Sequence, residues 1–130
     1  DTIPQITEGT EFFSQAYTPS NHPCDLLITC QAGVRETANN TNQKGMALYI
    51  NDNTDALRVV TGLTNGQGAV HGDNFQLRHL MSSYSGSKTF SLRSHKANSI
   101  NYQALYGGYP SEKFSQAASE TLFIIEEVAT

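Results

Sequence analysis

Histidine is the side chain best suited to acid–base or metal chemistry near neutral pH, and the chain has four histidines. His71 and Asp73 flank a glycine, so a turn there would bring an imidazole and a carboxylate close together. A pair of this kind is common by chance, and we interpret it as a polar loop rather than a catalytic or metal site. His79 alternates in phase with neighbouring apolar residues, which predicts a hydrogen-bonded histidine in the core or at an interface.

The other reactive residue types lack the spacing that a reaction would need. No serine lies in a Gly-x-Ser-x-Gly elbow, the arrangement that exposes a serine nucleophile. Glu126 and Glu127 are adjacent, so in a strand their carboxylates face opposite sides and cannot flank one glycosidic bond. Cys24 and Cys30 have no histidine or aspartate at zinc-ligand spacing. We therefore predict a protein that is not an enzyme and that has no cofactor or metal site within one chain. An alternative is a metal on the axis of a trimer, held by one histidine from each of three copies.

The two cysteines bracket an apolar stretch, residues 25–29, that is typical of a strand. At ~3.3 Å per residue the Cα atoms of Cys24 and Cys30 would lie roughly 20 Å apart, far beyond the ~7 Å limit for a disulfide. We therefore predict two free, buried thiols. Such thiols suit assembly in a reducing cytoplasm better than a secreted, disulfide-linked scaffold.

A tyrosine-rich segment at residues 101–110 is the main candidate for ligand binding. Tyr102, Tyr106 and Tyr109 offer rigid apolar faces with polar tips, on which sugar rings can stack. Asn101 and Gln103 are placed to bind sugar hydroxyls. The alternative is that Tyr102 and Tyr106 pack on one face of a further strand, because aromatic residues are ordinary strand formers. The polar loop at 39–43 is a second candidate, since loops are exposed.

Composition narrows the class of protein. Apolar residues make up 38% of the 130 residues and charged residues 15%, a balance typical of one polar all-β domain spanning 1–130. The net charge is −4 with no basic run, which argues against a nucleic-acid partner. No segment approaches the ~20 apolar residues of a membrane span, so we expect no membrane insertion. Residues 1–4 do not resemble a signal peptide, so any export signal would lie upstream.

The hydrophobic pattern has a period of two, broken often by turn residues. Predicted strands cover residues 11–17, 25–34, 45–51, 56–63, 67–70, 75–84, 88–97 and 121–128. Residues 85–87, Ser-Gly-Ser, predict a hairpin that joins two of these strands. About eight strands with a turn roughly every ten residues indicate an antiparallel β-sandwich or jelly roll. Residues 111–119 fit either one helical turn or a loop.

The last predicted strand has large apolar side chains on both faces. Leu122 and Ile124 point one way, and Phe123 and Ile125 point the other. A domain of this size has one core, so only one of these faces can fill it. We expect the other face, with Leu122 and Ile124, to meet further copies of the chain in a homotrimer.

Several short segments together resemble a C-terminal module of phage and prophage tail fibres. The similar segments are residues 1–9, 16–20, 26–28, 79–86, 89–93 and 119–127. The resemblance implies a trimeric β-sandwich tip used for host attachment, similar in architecture to tumour-necrosis-factor and C1q heads. Cys24, Cys30 and the tyrosine-rich segment depart from what that module would show. No receptor-binding residue is therefore carried over from the family.

The leading hypothesis is a non-enzymatic receptor-binding tip of a tail fibre, assembled in the host cytoplasm and attaching to a bacterial surface glycan or protein. One alternative is a carbohydrate-binding or trimerisation module of a secreted polysaccharide-degrading enzyme. Another is a structural virion protein, such as a capsid decoration. The sequence preceding residue 1 would discriminate among these: fibrous repeats favour the first, a catalytic domain the second.

Overall fold

The structure, a computed structural model, describes residues 3–20, 23–35, 43–63, 72–96 and 121–128. These residues form an all-β protein made of antiparallel strands in two sheets, which confirms the predicted β-sandwich. The described strands are β1 (Thr10–Tyr17), β2 (Cys24–Arg35), β3 (Gln43–Ile50), β4 (Arg58–Leu63), β5 (Gly72–Tyr84), β6 (Lys88–Lys96) and β7 (Leu122–Val128). The predicted strand at 67–70 and the uncertain segment at 111–119 lie outside the described residues.

The two sheets are unequal in size. One has four strands in the order β1-β6-β3-β4, and the other has three in the order β5-β2-β7. β2 is the centre of the smaller sheet and pairs with β5 on one side and β7 on the other. On one side of the sandwich β4 packs against β5. On the opposite side β1 meets β7 through the rings of Phe13 and Phe123, whose centroids lie 4.7 Å apart.

The core lies between the sheets and follows the alternation seen in the sequence. Every second residue of β2, β3, β5 and β6 points inward, because successive strand side chains face opposite sides of a sheet. The buried core residues are Cys24, Leu26, Ile28, Cys30, Ala32, Met46, Leu48, Ile50, Phe75, Leu77, Tyr84, Phe90 and Leu92. Both cysteines are free and buried, as predicted.

The prediction of a hairpin at residues 85–87 is wrong. β5 pairs with β2, whereas β6 pairs with β1 and β3, so the turn carries the chain from one sheet to the other. Gly86 has φ of 78°, a left-handed conformation that glycine adopts at little cost. A short Gly-containing link can either close a hairpin within one sheet or connect strands of two different sheets. The sequence alone does not indicate which sheet each strand joins.

The first described residues form a segment that crosses the outside of the four-stranded sheet. We call residues 3–9 the N-terminal cover. The Ala56 N–H donates to the Pro4 carbonyl at 2.9 Å, and the Ile6 N–H donates to the Thr54 carbonyl at 2.7 Å. Gln5 also forms an isolated antiparallel bridge with Asp55. The cover therefore begins beside the connection between β3 and β4 and leads into β1. No helix within the described residues has the length and apolarity to cross a membrane.

Candidate functional site

The outer face of the three-stranded sheet is the most unusual surface among the described residues. We call it the open face, and its side chains are Asp25, Leu27, Thr29, Gln31, Asn74, Gln76, Arg78, Leu80, Leu122, Ile124, Glu126 and Val128. Five large apolar side chains are exposed in the described part of the chain, and four of them lie here. Their exposures are 55% for Leu80, 43% for Leu122, 39% for Ile124 and 40% for Val128. The fifth, Ile3, belongs to the N-terminal cover.

Strand register brings these residues together into one patch. Leu27 of β2 lies opposite Leu80 of β5 and opposite Glu126 of β7. Two residues along the strand, Thr29 lies opposite Ile124. Neighbouring strands lie about 4.8 Å apart, so side chains paired directly across two strands, such as Leu27 and Leu80, are close enough to interact. An exposed apolar patch rimmed by polar residues marks an interaction site on a soluble protein.

β7 divides its side chains as the sequence predicted. Phe123 and Ile125 pack against the core, while Leu122 and Ile124 are exposed on the open face. Glu126 is exposed and the adjacent Glu127 is half-buried on the inner side. The placement agrees with the roles assigned to Leu122 and Ile124, and their part in a trimer interface stays a prediction.

Glu127 fastens β7 to β1 at the edge of the sandwich. The Tyr17 hydroxyl donates to one carboxylate oxygen at 2.8 Å. The Ser20 N–H and hydroxyl donate to the two oxygens at 2.6 Å and 2.7 Å. The bond to Glu127, with burial second, raises the pKa of Tyr17 to about 12. This carboxylate is thus occupied by structural hydrogen bonds.

A second polar cluster lies on the outer face of the four-stranded sheet. Tyr49 points away from the core yet is 0% exposed, and its hydroxyl lies 2.7 Å from Nε2 of His95. Burial raises the pKa of Tyr49 to about 12. Burial also lowers the pKa of His95; the Arg93 cation lowers it further, while Glu8 opposes the shift. The Tyr49 hydroxyl and Nε2 of the half-buried His95 are hydrogen-bonded to each other, so both polar groups are satisfied.

Arg93 ties this cluster to the N-terminal cover. Its Nε–H donates to the Glu8 carbonyl at 2.8 Å, and Nη2 donates to the Gly9 carbonyl at 3.2 Å. Nη1 lies 3.3 Å from a carboxylate oxygen of Glu11 on β1. One guanidinium therefore fixes three places on the cover and the first strand, as its fork of donors allows.

The remaining predicted candidates are inward-facing or lie outside the described residues. His79 is half-buried on the core side of β5, in phase with Phe75 and Leu77 as predicted, and burial and then Arg58 lower its pKa. His71, the tyrosine-rich segment at 101–110 with Asn101, Gln103, Tyr102, Tyr106 and Tyr109, and positions 39–42 of the polar loop lie outside the described residues. Their roles stay predictions.

The described residues offer few groups for chemistry. No three histidine, cysteine or acidic side chains among them are grouped so as to hold a metal ion. Burial raises the pKa of the Cys30 thiol to about 12, so this thiol stays protonated and unreactive near neutral pH. The pKa of Cys24 is raised as well, first by burial and then by Glu127.

Sequence reasoning missed Leu80 and Val128 as members of the open face. In β5, Leu77 and the half-buried Met81 face the core, so Leu80 points to the other face of the sheet. Which residues lie beside it there depends on the register with β2. Its partner Leu27 was visible as an apolar residue out of phase with the core pattern of β2. Pairing such out-of-phase residues between strands would have indicated the patch. The bond between Tyr49 and His95 joins residues on different strands and has no local signal.

No protein-family model matches this sequence, and no curated protein matches it significantly.

Proposed function

We propose that this chain is a receptor-binding tip of a phage tail fibre, a non-enzymatic homotrimer that attaches to a bacterial surface glycan or protein. The proposal combines the resemblance of the sequence to tail-fibre modules with one structural observation. That observation is the open face, an exposed apolar surface on a sheet whose other side already fills the core. Surfaces of this composition are typical of the buried centre of stable homo-oligomer interfaces.

The positions of the acid–base groups also favour a binding role over catalysis. Glu127 accepts bonds from Tyr17 and Ser20, and His95 is bonded to Tyr49. In these bonds both groups join neighbouring strands or segments of the domain, which is a structural role. A catalytic base, in contrast, needs its substrate proton within hydrogen-bond reach.

Sedimentation of single variants tests the assembly. Ile124→Asp places a carboxylate between the exposed apolar side chains of β7, and we expect a monomer at micromolar concentration where the unmodified chain is a trimer. Ile3→Asp is the matched control, because Ile3 is a 56% exposed isoleucine outside the open face. We expect this variant to remain trimeric. A compact monomer for the unmodified chain would overturn the trimer.

Binding to bacterial cells tests the attachment role. Labelled protein is titrated onto a panel of bacterial strains and onto an array of bacterial surface glycans. A trimer engages three receptors at once, so we expect Ile124→Asp to lose roughly a hundredfold or more in apparent affinity for a binding strain. Ile3→Asp should bind like the unmodified chain. Binding only to free polysaccharides would favour an accessory module of a polysaccharide-degrading enzyme, and binding to neither would favour a structural virion protein.

A further inference from the structure

We propose that copies of this chain assemble around an axis parallel to the strands, with Arg78 of each copy paired to Glu126 of the next. The inference rests on the proposed homotrimer and specifies which edges of the open face meet. The partner surface is a second copy of the chain. Four observations support it: the location of the two charges, their lack of partners, their separation within one chain, and their complementarity between copies.

The two charges lie on opposite edges of the open face. Arg78 is exposed on β5 and lies opposite Thr29 of the central strand β2. Glu126 is exposed on β7 and lies opposite Leu27 of the same strand. The apolar residues lie between and beside them. The exposed apolar side chains lie on the same two edge strands as these charges, Leu80 on β5 and Leu122, Ile124 and Val128 on β7, so each edge offers a neighbouring copy both a charge and apolar area.

Neither charge has a partner within the described residues. The ion pairs found there join Lys88 to Asp52 and Arg93 to Glu11, and no hydrogen bond between described residues involves the side chains of Arg78 or Glu126. Two strand spacings of about 4.8 Å and a shift of two residues separate these two side chains, so their Cα atoms lie more than roughly 10 Å apart. Thr29 and Leu27 lie between them. One chain does not bring them together.

Rotation about an axis parallel to the strands brings the two edges together. Such a rotation places the β5 edge of one copy beside the β7 edge of the next and preserves height along the strands. Along the strand direction, Arg78 is then offset from the neighbouring Glu126 by two residues, or about 6.6 Å. A long arginine side chain can span this offset. Leu80 is offset in the opposite sense and meets the neighbouring Ile124. At equal height Arg78 is level with the neighbouring Ile124 and Leu80 with the neighbouring Glu126, whereas the two diagonals pair charge with charge and apolar group with apolar group.

Charge complementarity favours a second copy of the chain as the partner that covers the open face. A face with a cation at one edge and an anion at the other complements itself under this rotation, and the third charge, Asp25 on the central strand, accepts a hydrogen bond from the Ser83 N–H of its own chain. An axis perpendicular to the strands would instead bring β5 onto β5 and place the two arginines on the same side. A homo-oligomer repeats the favourable contact at every subunit boundary.

Charge reversal tests the pairing by sedimentation at low salt. We expect Arg78→Glu and Glu126→Arg each to raise the concentration needed for half-assembly by at least about tenfold, because each puts like charges at every boundary. The double variant, with both changes, should assemble like the unmodified chain. Arg58→Glu is the control for Arg78→Glu, since both replace an exposed arginine by glutamate, and Arg58 lies on β4, outside the open face. It should leave assembly unchanged.

Mixing the two single variants distinguishes three copies from two. In a two-fold dimer of one variant with the other, both boundaries pair opposite charges, so assembly recovers fully. In a three-membered ring at least one boundary joins two copies of the same variant and stays repulsive. We expect the mixture to recover less than the double variant. Full recovery in the mixture would overturn the three-fold arrangement.

The experiments distinguish an error in the Arg78–Glu126 pairing from an error in the proposed trimer. If the unmodified chain is a trimer but the single reversals assemble normally, the pairing is wrong and the trimer stands. If the single variants dissociate and the double variant does not reassemble, the pairing is equally wrong, provided that circular dichroism shows the double variant folded. If the unmodified chain is monomeric, both proposals are overturned.

Discussion

On the outer face of the four-stranded sheet Tyr49 is completely buried, whereas on the outer face of the three-stranded sheet Leu80 and Ile124 are open to solvent. The first face carries polar groups that the chain itself covers. The second carries apolar groups that no described residue covers. Folding alone would favour the reverse, because burying apolar area is what stabilises a domain and burying a polar group costs free energy unless it is hydrogen-bonded.

This difference between the two outer faces indicates that the chain covers the four-stranded sheet with its own residues, whereas we infer that a partner covers the three-stranded sheet. The N-terminal cover meets the four-stranded sheet through directional bonds, with Arg93 donating to the Glu8 and Gly9 carbonyls, and the Tyr49–His95 bond lies within the sheet between β3 and β6. Such bonds fix one segment in one place. The open face instead exposes four large apolar side chains, Leu80, Leu122, Ile124 and Val128, and these need a broad complementary surface. A second copy provides that surface.

Gly9 is the residue on which the covered face depends most. It has φ of 68°, and a Cβ there would clash with the Ser94 carbonyl oxygen and lie 3.0 Å from Cε1 of His95. We expect Gly9→Ala to lower the free energy of unfolding by about 3 kcal/mol or more, from left-handed strain plus displacement of the cover. Urea unfolding measures this loss.

Gly86→Ala is the matched control for that change. Gly86 also has a positive φ, 78°, but a Cβ there meets nothing within 4 Å. Only the strain of the left-handed conformation remains, so we expect a loss of about 1 kcal/mol. Equal losses for the two variants would show that the cover does not press on the sheet at Gly9.

Tyr49→Phe tests whether the polar groups of the covered face are truly satisfied. The change leaves Nε2 of His95 without its partner in a buried site, and we expect a loss of about 1–2 kcal/mol. Tyr84→Phe is the control, because the Tyr84 hydroxyl reaches the Tyr17 carbonyl only at 3.4 Å. Its removal should cost less than about 0.5 kcal/mol. Chemical unfolding of both variants decides between a satisfied cluster and ordinary packing.

Strand positions were predictable because each strand carries its own alternation. The predicted strand at 25–34 and the observed β2, Cys24–Arg35, differ by one residue at each end. Partner choice was not predictable, as the link at 85–87 shows: the sequence predicts a turn there but not that it changes sheets. Pairing depends on contacts between distant residues, which no local pattern encodes.

The candidate site was predictable only in part, for the same reason. Leu122 and Ile124 were identified because apolar residues on both faces of one strand are visible in the sequence. Leu80 joins them only through register with Leu27. The position of Arg78 relative to Glu126 depends on the strand order β5-β2-β7, in which no two neighbouring strands are consecutive in the sequence. A single sequence does not specify that order.

Acid should weaken the covered face more than the open face. Burial lowers the pKa of His95 below its ordinary 6.5, so the folded state favours the neutral ring and the unfolded state binds more protons just below that value. His95 therefore contributes stability that is complete above about pH 6.5 and is lost as the pH falls through the lowered folded pKa. We expect the melting temperature to decline between pH 7 and pH 5.

His95→Gln should flatten part of that decline, because the group that takes up the proton is gone. His79→Gln is the comparison, since His79 also has a lowered pKa but faces the core from the three-stranded sheet. We expect each variant to remove a share of the pH dependence. A slope for His95→Gln identical to that of the unmodified chain would contradict the assignment of acid sensitivity to the Tyr49 cluster.

The smallest expected effect is that of reductant on the assembled protein. Cys24 and Cys30 are free and lie on the core side of β2, directly behind the open face but pointing away from it. Neither thiol can link copies across that face, and six residues of extended strand keep them roughly 20 Å apart within one chain. We expect the same melting temperature and the same sedimentation with and without reductant, and an intact mass that retains both thiol hydrogens. Loss of the oligomer on reduction would mean that a disulfide, and not the apolar open face, holds the copies together, and the comparison of the two faces would then lose its basis.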